Sequence, residues 1–189
     1  DRCIDLAPRL IVQEWIDGPD SNMYSYCSYV GKDGSLFAEF VARKIRQAPI
    51  LTGVGSLAMQ CDEPLISEAS RRLLSASNFR GVSSIQFKRK EGTDDFYFIE
   101  ANVGRSTLNM PVAEACGIEL QYTIYCDCAD LPLPEARFVS HPEAKCIVWH
   151  LDLKRALQGI KQGELSVADW LRSLSGPVLA TDVHWDDPK

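Results

Sequence analysis

Residues 23–30 and 35–47 are strand-like runs rich in aromatic and other apolar residues, and the glycine-containing turn 31–34 lies between them. Two such runs on either side of a short glycine-containing turn are typical of a β-hairpin. A shorter apolar run at 10–16 ends at the turn formers of residues 17–20 and predicts a buried strand. The N-terminal part of the chain is therefore expected to be β-structure.

An alternating stretch runs from Gly81 to Asn102 and turns at residues 91–94, which predicts another hairpin. The glycine-containing residues 52–56, which lie between the two hairpins, are expected to form a loop. Antiparallel hairpins interleaved with helices place the chain in the α+β class, with an antiparallel sheet and helices packed on it.

Helical spacing begins after residue 62, where Asp62 is the expected N-cap and Pro64 lies just inside the helix. The expected apolar face of this helix consists of Leu65, Ile66, Ala69, Leu73 and Leu74. Further along, the sequence predicts a helix from residue 107 or 108 to Gly117 and a second helix to about Asp130. A strand is expected over 145–151, followed by a helix that ends at Gly163 and whose apolar face carries Leu153, Leu157 and Ile160. The last predicted helix runs from Ser166 to Gly176.

Composition and charge exclude several classes of function. The 189 residues are 46% hydrophobic and 24% charged, as in a globular domain, and the net charge is −6. A surface for DNA or RNA needs clustered cations, so we expect no nucleic-acid partner. The absence of a long apolar run and of a signal-peptide pattern predicts a cytoplasmic protein without a membrane partner. The seven cysteines include no CxxC pair and are expected to be reduced thiols.

The second hairpin carries the candidate chemistry. Antiparallel partners whose numbers sum to about 186 would put Gln86 opposite Glu100 and Ser84 opposite Asn102. These residues and Lys88 would then share one polar face, whose carboxylate and amide oxygens suit Mg²⁺. A solvated face without a ligand is the alternative. The other face would carry the apolar row Ile85, Phe87, Ile99 and Ala101.

Four segments resemble the ATP-grasp superfamily, and they occur in the order expected for it. The strand at 98–102 (FIEAN), followed by an arginine and a helix, resembles the metal-binding strand usually written E-x-N-P-R. Residues 12–20 (VQEWIDGPD) resemble the hinge that clamps adenine. Residues 43–47 and 81–88 resemble the basic strand and the first metal strand. Together the four segments span residues 10 to about 125.

The resemblance implies an ATP site on this chain. Backbone groups near Glu14 and Ile16 would meet the adenine edge, with Trp15 between them in the hinge. Asp20 would accept hydrogen bonds from the ribose hydroxyls. The expected cofactors are ATP and Mg²⁺, or Mn²⁺ in its place.

The resemblance also implies the metal ligands and the cations of the site. Glu100 and Asn102 would hold Mg²⁺ on the nucleotide phosphates, with Gln86 as the third oxygen ligand. The catalytic cations would be Arg43 or Lys44, facing phosphate or the acyl phosphate, and Arg105, clamping the substrate. For Arg43, a structural ion pair with Glu39 is an equally good alternative.

Two positions depart from the pattern of the superfamily. Gln86 stands where a carboxylate is usual, which removes a negative charge that would hold Mg²⁺. Asn102 is followed by Val103-Gly104-Arg105, so Arg105 is displaced by one residue from its expected place. A degenerate site is therefore an open alternative.

The resemblance implies that the chain is a fragment of an ATP- and Mg-dependent carboxylate–amine or carboxylate–thiol ligase that acts through an acyl phosphate. Residues 1–130 would form its second, C-terminal lobe, and residues 131–189 a small α/β appendage. The first lobe is expected elsewhere in a longer protein, so this chain alone would be inactive. The other expected partners are the carboxylate and amine substrates and a second copy in a homo-oligomer. A nucleotide-binding module without ligase activity and a plain α+β interaction domain are the alternatives.

Overall fold

The computed structural model describes residues 12–50, 52–104 and 110–183, and these form one sheet with helices packed on it. The strands among them are β1 (Met23–Val30), β2 (Leu36–Ala48), β3 (Val54–Cys61), β4 (Gly81–Arg89), β5 (Phe96–Val103), β6 (Lys145–Ile147) and β7 (Val178–Ala180). Their order in the sheet is β5-β4-β1-β2-β3-β6-β7. All neighbouring strands are antiparallel except β6 and β7. The expected α+β fold is confirmed.

Helices connect and cover these strands. The described residues form α1 (Pro64–Ala76), α2 (Met110–Ala115), α3 (Leu120–Cys128), α4 (Trp149–Gln162) and α5 (Val167–Ser173), and a 3₁₀ turn (Asp20–Asn22) precedes β1. In that described part, no helix has both the length and the apolar character that a bilayer span needs. Its six cysteines are free.

The first hairpin forms as predicted because its turn satisfies its own polar groups. Gly31 N–H donates to the carbonyl of Ser35 at 2.8 Å, and the Asp33 carboxylate accepts from the Ser35 N–H at 2.8 Å. The resulting register pairs Tyr24 with Arg43 and Cys27 with Phe40. Alternation along the strands then fixes which residues share a face.

The two faces of the sheet bury two separate apolar clusters. Tyr24, Tyr26 and Ile85 lie on one face and contact Ile66 of α1. The cluster on the other face joins residues of β1 and β2 to residues in and around α2 and α3. Its members include Cys27, Tyr29, Ala38, Phe40, Ala42, Val112, Ile118 and Leu120. The sheet is therefore sandwiched between α1 and the α2–α3 pair.

The predicted strand at 10–16 is wrong over its described part. Residues 12–16 form no strand, Val12 is 92% exposed, and only Ile16 is buried. The segment reaches the edge strand β5 through a side chain, since Gln13 Nε2 donates to the Ile99 carbonyl at 3.2 Å. Residues 10 and 11 lie outside the described residues.

The predicted loop at 52–56 is wrong from residue 54 onward, because β3 begins there. The turn between β2 and β3 needs Gly53, since a Cβ at that position would lie 2.2 Å from the Ala48 carbonyl carbon. The N-cap of α1 is Glu63 rather than Asp62, and Pro64 lies in the first turn as expected. Its buried residues are Ile66, Ser70 and Leu74, so the predicted apolar face is only partly correct.

In the C-terminal part, two predicted boundaries move. The strand predicted over 145–151 ends at Ile147, since α4 begins at Trp149. The last helix is capped by Ser166, as expected, but ends at Ser173 rather than at Gly176. Strands β6 and β7 extend the same sheet from β3. The division of the chain at residue 130 stays a prediction.

Helix α4 buries a different face from the one predicted. Leu153 and Leu157 are exposed, whereas Asp152, Ala156 and Gly159 face inward. Asp152 is fully buried because it meets Arg46 of β2: Arg46 Nε and Nη2 each donate to one carboxylate oxygen at 2.8 Å. The spacing of apolar residues alone does not indicate this pairing, because the pairing turns a charged residue, Asp152, toward the sheet.

The carboxylate of Asp152 accepts two further hydrogen bonds. Ser56 Oγ donates at 3.1 Å and Trp170 Nε1 at 3.0 Å, while Arg46 Nη1 donates to Ser173 Oγ at 2.7 Å. The pair therefore links β2, β3, α4 and α5. A buried bidentate pair with its remaining polar atoms satisfied gives geometric specificity as well as energy.

We expect the Asp152→Asn variant to lose about 3–5 kcal/mol of unfolding free energy, because it leaves the Arg46 charge buried without a counter-charge. Urea unfolding followed by circular dichroism measures the loss. Asp130→Asn is the matched control, since it removes an exposed partner of Lys32 and should change stability little. Equal stability changes in both variants would contradict the importance of the buried pair.

Candidate functional site

The second hairpin has the predicted register over its polar end. Gln86 pairs with Glu100 and Ser84 with Asn102. The register shifts between Gln86 and Phe87, so Lys88 pairs with Tyr97 rather than with Phe98. The predicted polar row therefore exists and continues, across a bulge, toward Lys88.

The apolar row on the opposite face of this hairpin is only partly buried. Ile85 and Phe87 belong to the cluster under α1. The prediction that Ile99 lies opposite Phe87 is wrong, because the bulge puts Phe98 there and leaves Ile99 without a partner on β4. Ala101 is exposed because β5 is an edge strand.

The polar row shares its face with the middle strands of the sheet. Ser25 of β1 pairs with Gln86 on one side and with Ala42 of β2 on the other. Lys44 follows Ala42 at the two-residue period and therefore lies on the same face. The α2–α3 cluster covers one end of this face, and the other end is polar.

Lys44 is a half-buried cation at this polar end. Its Nζ donates to Gln47 Oε1 at 3.0 Å and to the Gly53 carbonyl at 3.2 Å. Burial lowers the pKa of Lys44, and the positive charge of Lys88 lowers it further, while Asp20 and Glu100 act in the opposite direction. The ammonium of Lys44 therefore lies within electrostatic range of both predicted site carboxylates.

Asp20 supports Lys44 through Gln47. Gln47 is buried, and its Nε2 donates to Asp20 Oδ1 at 2.9 Å while its Oε1 accepts from Lys44. Arg155 of α4 places its Nε 3.9 Å from Asp20 Oδ2. The residue predicted to bind ribose is thus a buried part of the site, and its contact with ribose stays a prediction.

Arg43 is not brought to the polar face. Its Nε donates to the Ser21 carbonyl at 2.6 Å and its guanidinium lies 5.8 Å from the centre of the Tyr24 ring, on the α1 side. The alternative ion pair with Glu39 is wrong, because Glu39 accepts from Arg71 instead. Residues four apart on a strand are separated by roughly 13 Å, too far for that pair.

The metal-binding candidates provide one carboxylate and two amides. Glu100 is exposed, and Asn102 Nδ2 donates to Glu100 Oε1 at 2.9 Å. No group of three or more His, Cys, Asp or Glu residues that could hold a metal ion is found within the described ranges. This set fits a cation such as Mg²⁺ that takes its other ligands from phosphate and water. Arg105 lies outside the described residues.

A cavity of about 600 Å³ opens beside the polar row, within the range of small-molecule sites. Its walls are the hinge residues 13–16, Met23, Lys88 and residues 97–99. Lys88 Nζ lies 5.2 Å from the centre of the Trp15 ring. The predicted hinge residues Glu14, Trp15 and Ile16 are therefore next to the polar row.

Two residues of this arrangement were not among the predicted site residues. The alternation along the second hairpin placed Lys88 on the predicted polar face, but no role in binding was predicted for it. Gln47 gives no sequence signal, because its role depends on Asp20 and Lys44, which the fold brings to it.

Comparison with known proteins supports the fold. No family model matches the chain, and no curated protein matches it. Biotin carboxylase from Campylobacter jejuni, in a β-γ-ATP complex, is similar with a TM-score of 0.52 and 16% identity, over 66% of this chain and 28% of that chain.

Two other structures are similar at lower TM-scores. Pyruvate carboxylase from Rhizobium etli, with acetyl coenzyme A, has a TM-score of 0.49 and 15% identity over 63% of this chain and 12% of that chain. The ADP complex of PurK, a carboxyaminoimidazole ribonucleotide synthetase, has a TM-score of 0.49 and 16% identity over 65% of this chain and 33% of that chain. This chain spans a third or less of each protein. The likeness to biotin carboxylase supports the α+β fold of this chain, and the resemblance of the four sequence segments to the ATP-grasp superfamily stays a prediction.

We expect Lys44 to lose its proton at a lower pH than Lys32, because burial lowers the pKa of Lys44 and a hydrogen bond to Asp130 raises that of Lys32. Side-chain nitrogen NMR during a pH titration distinguishes the two.

The same shift has a consequence for stability. Above the folded-state pKa of Lys44 the unfolded chain binds more protons, so the stability of the wild type relative to Lys44→Met should rise with pH until the unfolded-state pKa is passed. Two results would contradict the burial of the ammonium. One is a stability difference between the wild type and Lys44→Met that falls as the pH rises between the folded-state and unfolded-state pKa of Lys44. The other is a Lys44 that loses its proton at a higher pH than Lys32.

Proposed function

We propose that this chain is the nucleotide-binding lobe of an ATP- and Mg-dependent ligase that joins a carboxylate to an amine or thiol through an acyl phosphate. The observation that carries the proposal is the continuity of the cavity with the polar row on one face of the sheet. A nucleotide in this position would extend from the cavity, which suits a base, to Glu100 and Asn102, which suit its phosphates.

The base would lie in the cavity between the hinge and β5. Backbone groups near Glu14 and Ile16 would bind its edge, and Trp15 would provide an aromatic surface next to it. Asp20, in the 3₁₀ turn before β1, would bind the ribose hydroxyls. The apolar and aromatic side chains of the cavity exclude water from the base and favour a flat ligand.

The phosphates would lie over the polar row. Glu100, Asn102 and Gln86 would hold Mg²⁺, or Mn²⁺, which neutralises phosphate charge when it is bound. Asn102 is oriented by its hydrogen bond to Glu100, so its carbonyl oxygen is left as an acceptor. Because Glu100 is the one carboxylate of this set, we expect the cation to bind with the nucleotide rather than before it.

Lys44 would neutralise charge on the transferred phosphate. A phosphate beside its ammonium would favour the protonated form that burial disfavours. Gln47 and the Gly53 carbonyl fix the ammonium before any ligand binds, and such preorganised charge is the main source of catalysis in phosphoryl transfer. Arg105 remains the candidate for clamping the carboxylate, whereas the position of Arg43 favours a structural role.

The remaining parts of the proposal concern the whole protein. A first lobe would close over the nucleotide, a carboxylate and an amine or thiol would be its substrates, and the protein would act in the cytoplasm. A homo-oligomer is part of the same proposal. The second candidate function is a nucleotide-binding module without ligase activity, which the neutral Gln86 among the metal ligands favours.

The proposal is tested by measuring ADP release from Mg-ATP by the intact protein in the presence of amino acids and small carboxylates. We expect one acceptor pair to stimulate release and Glu100→Ala to reduce it by roughly 100-fold or more, because the variant removes the carboxylate that holds the cation. Glu91→Ala, in the turn of the same hairpin, is the control and should keep full activity. Unchanged turnover in Glu100→Ala would contradict the assigned role.

The Gln86→Glu variant separates the two candidate functions. A second carboxylate should tighten Mg²⁺ binding to the nucleotide complex roughly tenfold, the scale on which single ligand-shell changes act. In a degenerate module the affinity would rise without product, whereas a ligase adapted to Gln86 would keep or lose rate. Gln121→Glu, an exposed change on α3, controls for charge alone. Calorimetry and product analysis give the two readouts.

A further inference from the structure

Lys88 is a buried cation whose charge the described protein does not neutralise. The residue is 5% exposed. Its ammonium has no hydrogen bond or ion pair with any residue of the ranges 12–50, 52–104 and 110–183, and its one close partner there is the ring of Trp15. The stem of the side chain is buried, whereas the ammonium is not among the buried polar atoms without a partner and is open to the cavity. Its three donors are therefore available to an acceptor on a ligand in the cavity.

The ammonium opens onto the cavity rather than into the protein. Lys88 is part of the cavity wall, where it is the one cation among the described lining residues. Ile16, Met23, Phe98 and Ile99 make much of the surrounding wall apolar. A ligand that fills this space must combine a mostly apolar surface with at least one hydrogen-bond acceptor.

The position of Lys88 on β4 places its ligand acceptor at some distance from the region proposed for the phosphates. Lys88 lies two residues beyond Gln86, roughly 7 Å along the strand, toward the hinge and away from Asn102. The indole of Trp15 holds the ammonium at the hinge end. A ring with acceptor nitrogens that fills the cavity between the hinge and β5 would therefore lie within reach of Lys88.

We infer that Lys88 recognises the base in the cavity by donating a hydrogen bond from its ammonium to a ring nitrogen. This inference rests on the proposed nucleotide site. Purine rings have unprotonated nitrogens that accept such a bond, and an ammonium, which only donates, disfavours a ring position that carries N–H. The contact with Trp15 holds Lys88 in place before the base arrives.

The test compares binding of Mg-ATP and of its 1-deaza, 3-deaza and 7-deaza analogues to the intact protein by calorimetry. We expect one analogue to bind roughly 10- to 100-fold more weakly than ATP, the range for a hydrogen bond from a charged group. This part of the test uses the wild type and does not depend on the folding of a variant.

The Lys88→Met variant identifies the donor. The variant keeps an unbranched apolar side chain in the cavity wall. We expect it to bind ATP more weakly than the wild type does by the same factor that separates ATP from the weak analogue. Its affinity for that analogue should equal the affinity of the wild type. Lys90→Met, an exposed change at the end of the same strand, is the control and should bind all four nucleotides like the wild type.

Two results would overturn the inference while leaving the nucleotide site intact. One is equal binding of ATP by the wild type and Lys88→Met. The other is uniform binding of all deaza analogues with weaker binding of inorganic tripolyphosphate by Lys88→Met, which would assign the ammonium to the phosphates. A folded wild type that binds no nucleotide at all would instead overturn the proposed function, and the inference with it.

Discussion

The buried pair between Arg46 and Asp152 is the contact on which the rest of the arrangement depends. It holds α4 against β2 with two charge-assisted hydrogen bonds of 2.8 Å. With α4 in this place, Arg155 lies beside Asp20, and Asp20 in turn orients Gln47 toward Lys44. A helix far along the chain thus supports the cation in the candidate site.

The second constraint is the register of the β4–β5 hairpin. Because side chains alternate along a strand, a slip of one residue would turn Gln86 and Glu100 to the face of α1. The observed register keeps them on the face that carries Lys44 and Lys88. The bulge after Gln86 changes the pairing of Lys88 but leaves this cation on the same surface as Glu100. Strand geometry therefore brings the acidic and basic groups of the candidate site to one face of the sheet.

Local patterns were enough to predict the hairpins, their polar face and the pairing of Gln86 with Glu100. They failed where a tertiary contact overrides the local signal. Asp152 turns α4 away from its apolar spacing because Arg46 is buried opposite it. Residues 12–16 are not a strand, because their backbone pairs with no strand among the described residues and residues 13–16 line a cavity instead. The place of Arg43 depends on the parity of β2 and on the 3₁₀ turn beside it.

A crystal structure of the intact protein with Mg²⁺ and a non-hydrolysable ATP analogue tests the nucleotide site most directly. We expect electron density for the base between residues 14–16 and 97–99, and for the cation at Glu100 and Asn102, with the triphosphate between them. A nucleotide bound elsewhere on the sheet, or a cation held without Glu100, would contradict the proposed site.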